Sequence, residues 1–149
     1  MRLPFTITPF AGLLLLISLL TAGSASAEPL AWNQQQVAKT TADLVHALDA
    51  LLADPELQSQ QATAMQQREH TAAVSSARHL RECVQTLRRK VNAGYDREES
   101  FPFWEQCTEL RSDIQAYARH SWLPEATDKR ANRAGDLIDT LGRYYQGAE

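Results

Sequence analysis

Residues 80–117, LRECVQTLRRKVNAGYDREESFPFWEQCTELRSDIQAY, decide the fold. Leu80, Val84, Leu87 and Val91 recur at intervals of three and four, and so do Phe103, Cys107, Leu110, Ile114 and Tyr117, so each half carries the apolar stripe of a helix. Between the stripes lie Gly94-Tyr95-Asp96, a helix-ending glycine followed by polar residues, and Phe101-Pro102, where proline cannot continue a preceding helix without losing a hydrogen bond. The chain is therefore expected to turn back on itself.

Folding about Tyr95 sets Cys83 level with Cys107, each twelve residues from the pivot. These are the two cysteines of the chain, and they are expected to form a disulfide, provided that their Cα atoms come within about 7 Å. In the chain-entropy view a loop of this size would stabilise the fold by about 3–4 kcal/mol. The competing reading is two buried thiols that never pair. Neither zinc nor redox chemistry is expected, because there is no Cys-x-x-Cys and two isolated cysteines do not fill a structural zinc site.

Upstream, Met1-Arg2, the leucine-rich run from Ala11 to Leu20 and the small residues Ala25-Ser26-Ala27 have the form of a secretory signal peptide, residues 1–27, cleaved after Ala27. The run is short of the roughly 20 apolar residues a membrane span needs, so no stable span is expected in the mature chain. Residues 28–149 are enough for a single domain. Export to the periplasm or the medium would bring the cysteines into an oxidising compartment. A formal charge of −3, more acidic still without Arg2, argues against nucleic acid as a partner.

Four helical segments follow from the pattern. The first starts at Asn33, a capping residue with Gln36 three positions on and Trp32 placed to staple onto Val37. Its face carries Val37, Leu44, Leu48 and Leu51, and His46 falls opposite. Asp54-Pro55 stops this helix and can open the next.

The second segment starts between Pro55 and Ala62 and runs to Asn92, with a fray or kink expected near Met65, where large side chains are few. Arg88, Arg89 and Lys90 in its last turn complement the helix dipole. The third is expected from about Pro102 to Ser121, with room for an extra turn capped by Asp96 and Glu99; in the Tyr95 register Arg81 lies opposite Glu109. The fourth covers Pro124 to Tyr145, with Thr127, Ala131, Ala134, Ile138, Leu141 and Tyr145 on one stripe and a fraying tail from Gly147. Similar lengths and short connections predict an all-α, antiparallel up-down-up-down four-helix bundle.

No catalytic or cofactor constellation emerges. A c-type haem needs Cys-x-x-Cys-His, which is absent. The chain resembles the periplasmic b-type bundle cytochromes in architecture alone: their ligands are a methionine early in helix one and a histidine on helix four, whereas here the mature chain has Met65 and His46, His70, His79 and His120. A di-iron bundle needs inward Glu-x-x-His pairs, and Asp43-x-x-His46 lies on an outward face. Serines beside histidines, such as Ser121 after His120, point about 100° apart on a helix and form no catalytic pair. No enzyme, metal or cofactor is expected. A cofactor- or metal-carrying bundle with unrecognised ligands is the contrasting class.

One collective feature remains. The bundle order brings Trp32, Tyr95, Phe101, Phe103, Trp104, Tyr144 and Tyr145 to one end, ringed by Arg88, Arg89, Lys90, Arg97 and Arg143. The plainer reading is a plug that closes the bundle. The sharper one is a binding surface formed by Trp32, Tyr95, Phe101, Trp104, Tyr144, Tyr145 and Arg89 for a protein or small-molecule partner in the cell envelope. The expected function is that of an exported, non-enzymatic binding or interaction module.

Overall fold

A computed structural model describes residues 28–58, 64–120 and 125–147; the expected signal peptide and its cleavage after Ala27 lie outside the described residues. The chain is all-helical, with α1 at Gln34–Leu52, a single turn α2 at Pro55–Gln58, α3 at Ala64–Asn92, α4 at Arg97–His120 and α5 at Glu125–Tyr145. No strand occurs among the described residues. The segment expected to fray or kink, before and around Met65, divides into α2 and the start of α3, with 59–63 outside the described residues.

The helix ends follow local chemistry. Asn33 accepts the Gln36 N–H through its side chain at 3.0 Å and starts α1. At the end of α3, Gly94 adopts φ +95°, while Gly94 N–H donates to Val91 O at 3.1 Å and Tyr95 N–H to Lys90 O at 3.2 Å. This paired closure needs a left-handed residue, and glycine takes it without a Cβ clash. Gln34 reaches across from α1 and donates to the carbonyls of Val91 and Tyr95.

The start of α4 is the earlier of the two that the sequence allowed, with the extra turn capped by Asp96 and Glu99. Asp96 accepts the Glu99 N–H at 2.9 Å and Glu99 accepts the Asp96 N–H at 3.1 Å, a reciprocal box that opens the helix at Arg97. Pro102, expected near the helix start, is therefore inside α4 and solvent-exposed. Its missing N–H removes one bond of a turn that the box has already fixed.

Cross-chain pairings place the four long helices side by side. Arg81 grips Asp49 of α1, with Nε to Oδ1 at 2.6 Å, rather than lying opposite Glu109 of α4. The reason is position: α3 packs between α1 and α4, and Arg81 sits on the edge that faces α1. Leu30 N–H donates to Arg143 O at 2.9 Å, and Ser100 Oγ lies 2.9 Å from Tyr145 Oη.

Just past the C-terminal end of α1, Asp54 is 2% exposed; its carboxylate accepts from Thr127 Oγ1 at 2.8 Å and pairs with Arg130. A residue read as a cap thus also ties the α1–α2 corner to the first turn of α5. The tail is tied down as well. α5 ends at Tyr145, Arg97 donates to the Gly147 carbonyl, and a Cβ at Gly147 would collide with the Leu30 carbonyl; the rest of the tail expected to fray, 148–149, lies outside the described residues.

The core joins Val37, Leu44 and Leu48 of α1, Leu80, Val84, Leu87 and Val91 of α3, Trp104 and Cys107 of α4, and Ala134, Ile138, Leu141 and Tyr145 of α5. Leu110 and Ile114 of α4 are only half-buried against it. Close backbone packing joins α3 to α4, α1 to α3 and α1 to α5, which leaves the α4–α5 side the loosest of the four. No helix among the described residues is long and apolar enough to cross a membrane.

Candidate functional site

The aromatic residues gather at one end, as the helix order requires, but at different depths. Tyr145, the last residue of α5, is the hub. Its ring stacks on Trp104 with centroids 5.3 Å apart and planes within 5°, meets Trp32 edge-on at 5.3 Å and lies 6.2 Å from Phe101. Trp104 and Tyr145 are buried, at 6% and 7% exposure, while Phe101 is 42% exposed. Trp32, Tyr95 and Tyr144 are half-buried.

The structure thus brings together only part of the candidate surface: Trp32, Phe101 and Trp104 surround Tyr145, with Phe101 outermost, whereas Tyr95 packs instead on Phe103, ring centroids 6.4 Å apart, and Tyr144 lies half-buried against the core. The Trp104 indole packs on α5 at Gly142, where an added Cβ would meet Cζ2 at an ordinary contact distance of 3.6 Å.

The basic residues at this end have structural duties. Lys90 Nζ sits 4.8 Å from the centre of the Tyr95 ring and 5.1 Å from that of Phe103, where a cation is attracted to the ring faces. Arg97 and Arg143 donate to backbone carbonyls, of Gly147 and of Glu28. Arg89, included in the candidate surface, is exposed and donates to Thr86 Oγ1 at 3.0 Å. A ring of cations predicted around the aromatics is therefore present, but most of its members cap and brace.

Burial pushes the Tyr145 hydroxyl up to about 12, against the opposing pull of its hydrogen bond with Ser100. The sign follows from linkage. Above the ordinary tyrosine value of about 10 the unfolded chain loses this proton, whereas the folded chain keeps it until about pH 12. Stability from this group is complete below pH 10 and is lost through the window between these two values, amounting to about 2–3 kcal/mol. Tyr145→Phe should lose correspondingly less stability between pH 9 and pH 12 in urea titrations; parallel losses in the two proteins would contradict the assignment.

Cys83 of α3 and Cys107 of α4 are both free thiols rather than the expected disulfide, although they lie close enough to shift each other's ionisation. Cys107 is buried and Cys83 half-buried, with Cys83 Sγ also 3.5 Å from the Phe103 carbonyl. Their interaction holds the Cys83 thiol below the ordinary range and, with burial adding to it, drives Cys107 up. Cys83 is the sulfur that ionises first.

Elsewhere, no group of three or more His, Cys, Asp or Glu side chains converges as a metal site among the described residues. His46 is exposed, as its outward position on α1 implies. What the sequence reading missed is a cavity of about 260 Å³ between α4 and α5. Its signal was present in Ala131, Ala134 and Gly135, small residues on or beside the core stripe of α5. No protein-family model, curated protein or solved structure matches this chain.

Proposed function

We propose that the mature chain is an exported binding module of the cell envelope, periplasmic or secreted, which engages a protein or small-molecule partner through the surface around Phe101 and catalyses no reaction. The observation that carries this reading is the 42% exposure of Phe101, directly above a buried Trp104–Tyr145 stack. A large apolar side chain held on a rigid aromatic base is the form that interface anchors take. Tyr145 supports it, with Trp104 and Trp32 packed on Tyr145 in turn, and the proposed surface extends from there over Tyr95, Tyr144 and Arg89.

Two further parts belong to the proposal. The helices run up-down-up-down, antiparallel to their neighbours; the pairings of Gln34 with Val91, Asp49 with Arg81 and Leu30 with Arg143 support this order. Export, read from the leader-like residues 1–27, would bring Cys83 and Cys107 into oxidising surroundings, and there they close to a disulfide. Closure starts with the Cys83 thiolate attacking a disulfide-bearing oxidant. Cys107 then displaces the oxidant's second sulfur, so that two electrons and two protons leave the pair.

The test is substitution at the exposed ring. Phe101→Ser should melt within a few degrees of the wild type yet lose the partner that immobilised wild type retains from the native envelope fraction. A variant that keeps the partner would sink the Phe101 surface. A wild type that retains none would sink the binding-module reading.

A further inference from the structure

Two helix pairs enclose space: α1 and α5 border a cavity of about 430 Å³ lined by Asp43, His46, Ala47, Ala50, Arg130 and Arg133, while the α4–α5 side, which lacks close backbone packing among the described residues, holds one with an apolar floor. At the aromatic end Trp104 fills the space against Gly142, but farther along α4 the facing residues of α5 are Ala131, Ala134 and Gly135, and between them lies the cavity of about 260 Å³. Its floor is apolar: Leu48 and Leu51 of α1, Leu80 of α3, Ile114 of α4 and Ile138 of α5. For scale, an apolar cavity of about 150 Å³ takes up benzene.

The rim has one sign of charge in excess. Among the described residues that line it, Asp128, Asp136 and Asp139 stand against one cation, Arg111, which is paired with Asp139. Asp128 accepts from Asn132 Nδ2 at 3.0 Å. The Asp136 carboxylate is exposed and takes no side-chain partner among the described residues. An apolar chamber under an acidic rim is complementary to a molecule with an apolar body and one positive end. An anion of the same shape would meet two uncompensated carboxylates, and a neutral one would leave them unanswered.

We propose that this cavity binds a small amphiphilic amine, its hydrocarbon part on the leucine and isoleucine floor and its ammonium at Asp136. The site lies beyond the Phe101 surface and does not depend on it.

The probes are n-octylamine, 1-octanol and octanoate, titrated calorimetrically into the full mature chain at pH 7, where the amine is protonated and the acid ionised. Octylamine should bind saturably and at least about tenfold more tightly than octanoate, a ratio expected when one charge interaction worth about 1.4 kcal/mol changes sign or disappears. Asp136→Asn should bring octylamine close to octanol while leaving octanol binding unchanged.

Gly135→Leu is the occluding variant. A Cβ at Gly135 meets no atom within 4 Å, so the side chain has room to enter the cavity; the variant should fold, melt higher and lose octylamine binding. Octanoate binding as tightly as octylamine, unchanged octylamine affinity in a folded Gly135→Leu chain, or an unaltered amine preference in Asp136→Asn would each overturn the proposal. So would the absence of saturable binding by all three probes.

Discussion

Trp104→Ala is expected to lower unfolding stability by about 3–5 kcal/mol, the range for removing a buried tryptophan or phenylalanine from a core. The indole is 6% exposed, stacks on Tyr145 and lies against the α5 backbone at Gly142, so little around it can collapse into the space. Alanine would remove the stack and would also free Tyr145, on which Trp32 and Phe101 rest. Urea unfolding at neutral pH gives the measurement. A loss below about 1 kcal/mol would mean that the stack is not part of the core. Because Trp104 supports Phe101, this variant should lose stability and partner together, whereas Phe101→Ser separates the two.

Oxidation of the cysteine pair is the second large effect. If Cys83 and Cys107 are joined in the exported protein, reduction should cost about 3 kcal/mol, and the melting temperature should fall by roughly 10 °C for a domain of this size. Cys83→Ser should melt with the reduced protein and show no response to reductant. Equal melting with and without reductant, or two titratable thiols per chain in protein recovered from its native compartment, would remove the disulfide from the account. The geometry favours attack through Cys83, the half-buried sulfur with the lowered pKa, and closure by the buried Cys107. Cys107→Ala should then leave Cys83 open to mixed disulfides.

Much of this molecule was legible in its residues. The Leu80 to Val91 stripe, the stop at Gly94 and the Asp96–Glu99 box are local events, governed by neighbours three and four positions away. Turn geometry about Tyr95 was enough to predict that positions 83 and 107 come near each other, but the two cysteines are free thiols and not the expected disulfide. Depth was not legible. Seven aromatic and basic residues, Trp32 to Arg89, could be assigned to one end, but the pattern does not tell a ring beneath the surface, such as Tyr145, from one upon it, such as Phe101.

Choice of partner was hidden for a similar reason. Arg81 has an acidic candidate on either side, Asp49 and Glu109, and helical spacing is silent on which neighbour its edge faces. The buried carboxylate of Asp54 could be read from sequence only as a helix cap. Its burial depends on Thr127 and Arg130, more than seventy residues away. The α4–α5 cavity depends on how far apart two helices settle. Small residues on α5 permit either close approach or a hollow, and the pattern does not say which; the structure has the hollow.

The sequence by itself determined the helices, their caps and the meeting of the two cysteines, because hydrogen bonds within a turn and apolar periodicity act over a few residues. Only the tertiary structure decided which rings are covered, which charges pair and where space is left. Those outcomes depend on the distance and rotation between helices, which are set by all the side chains at an interface together and by none of them alone.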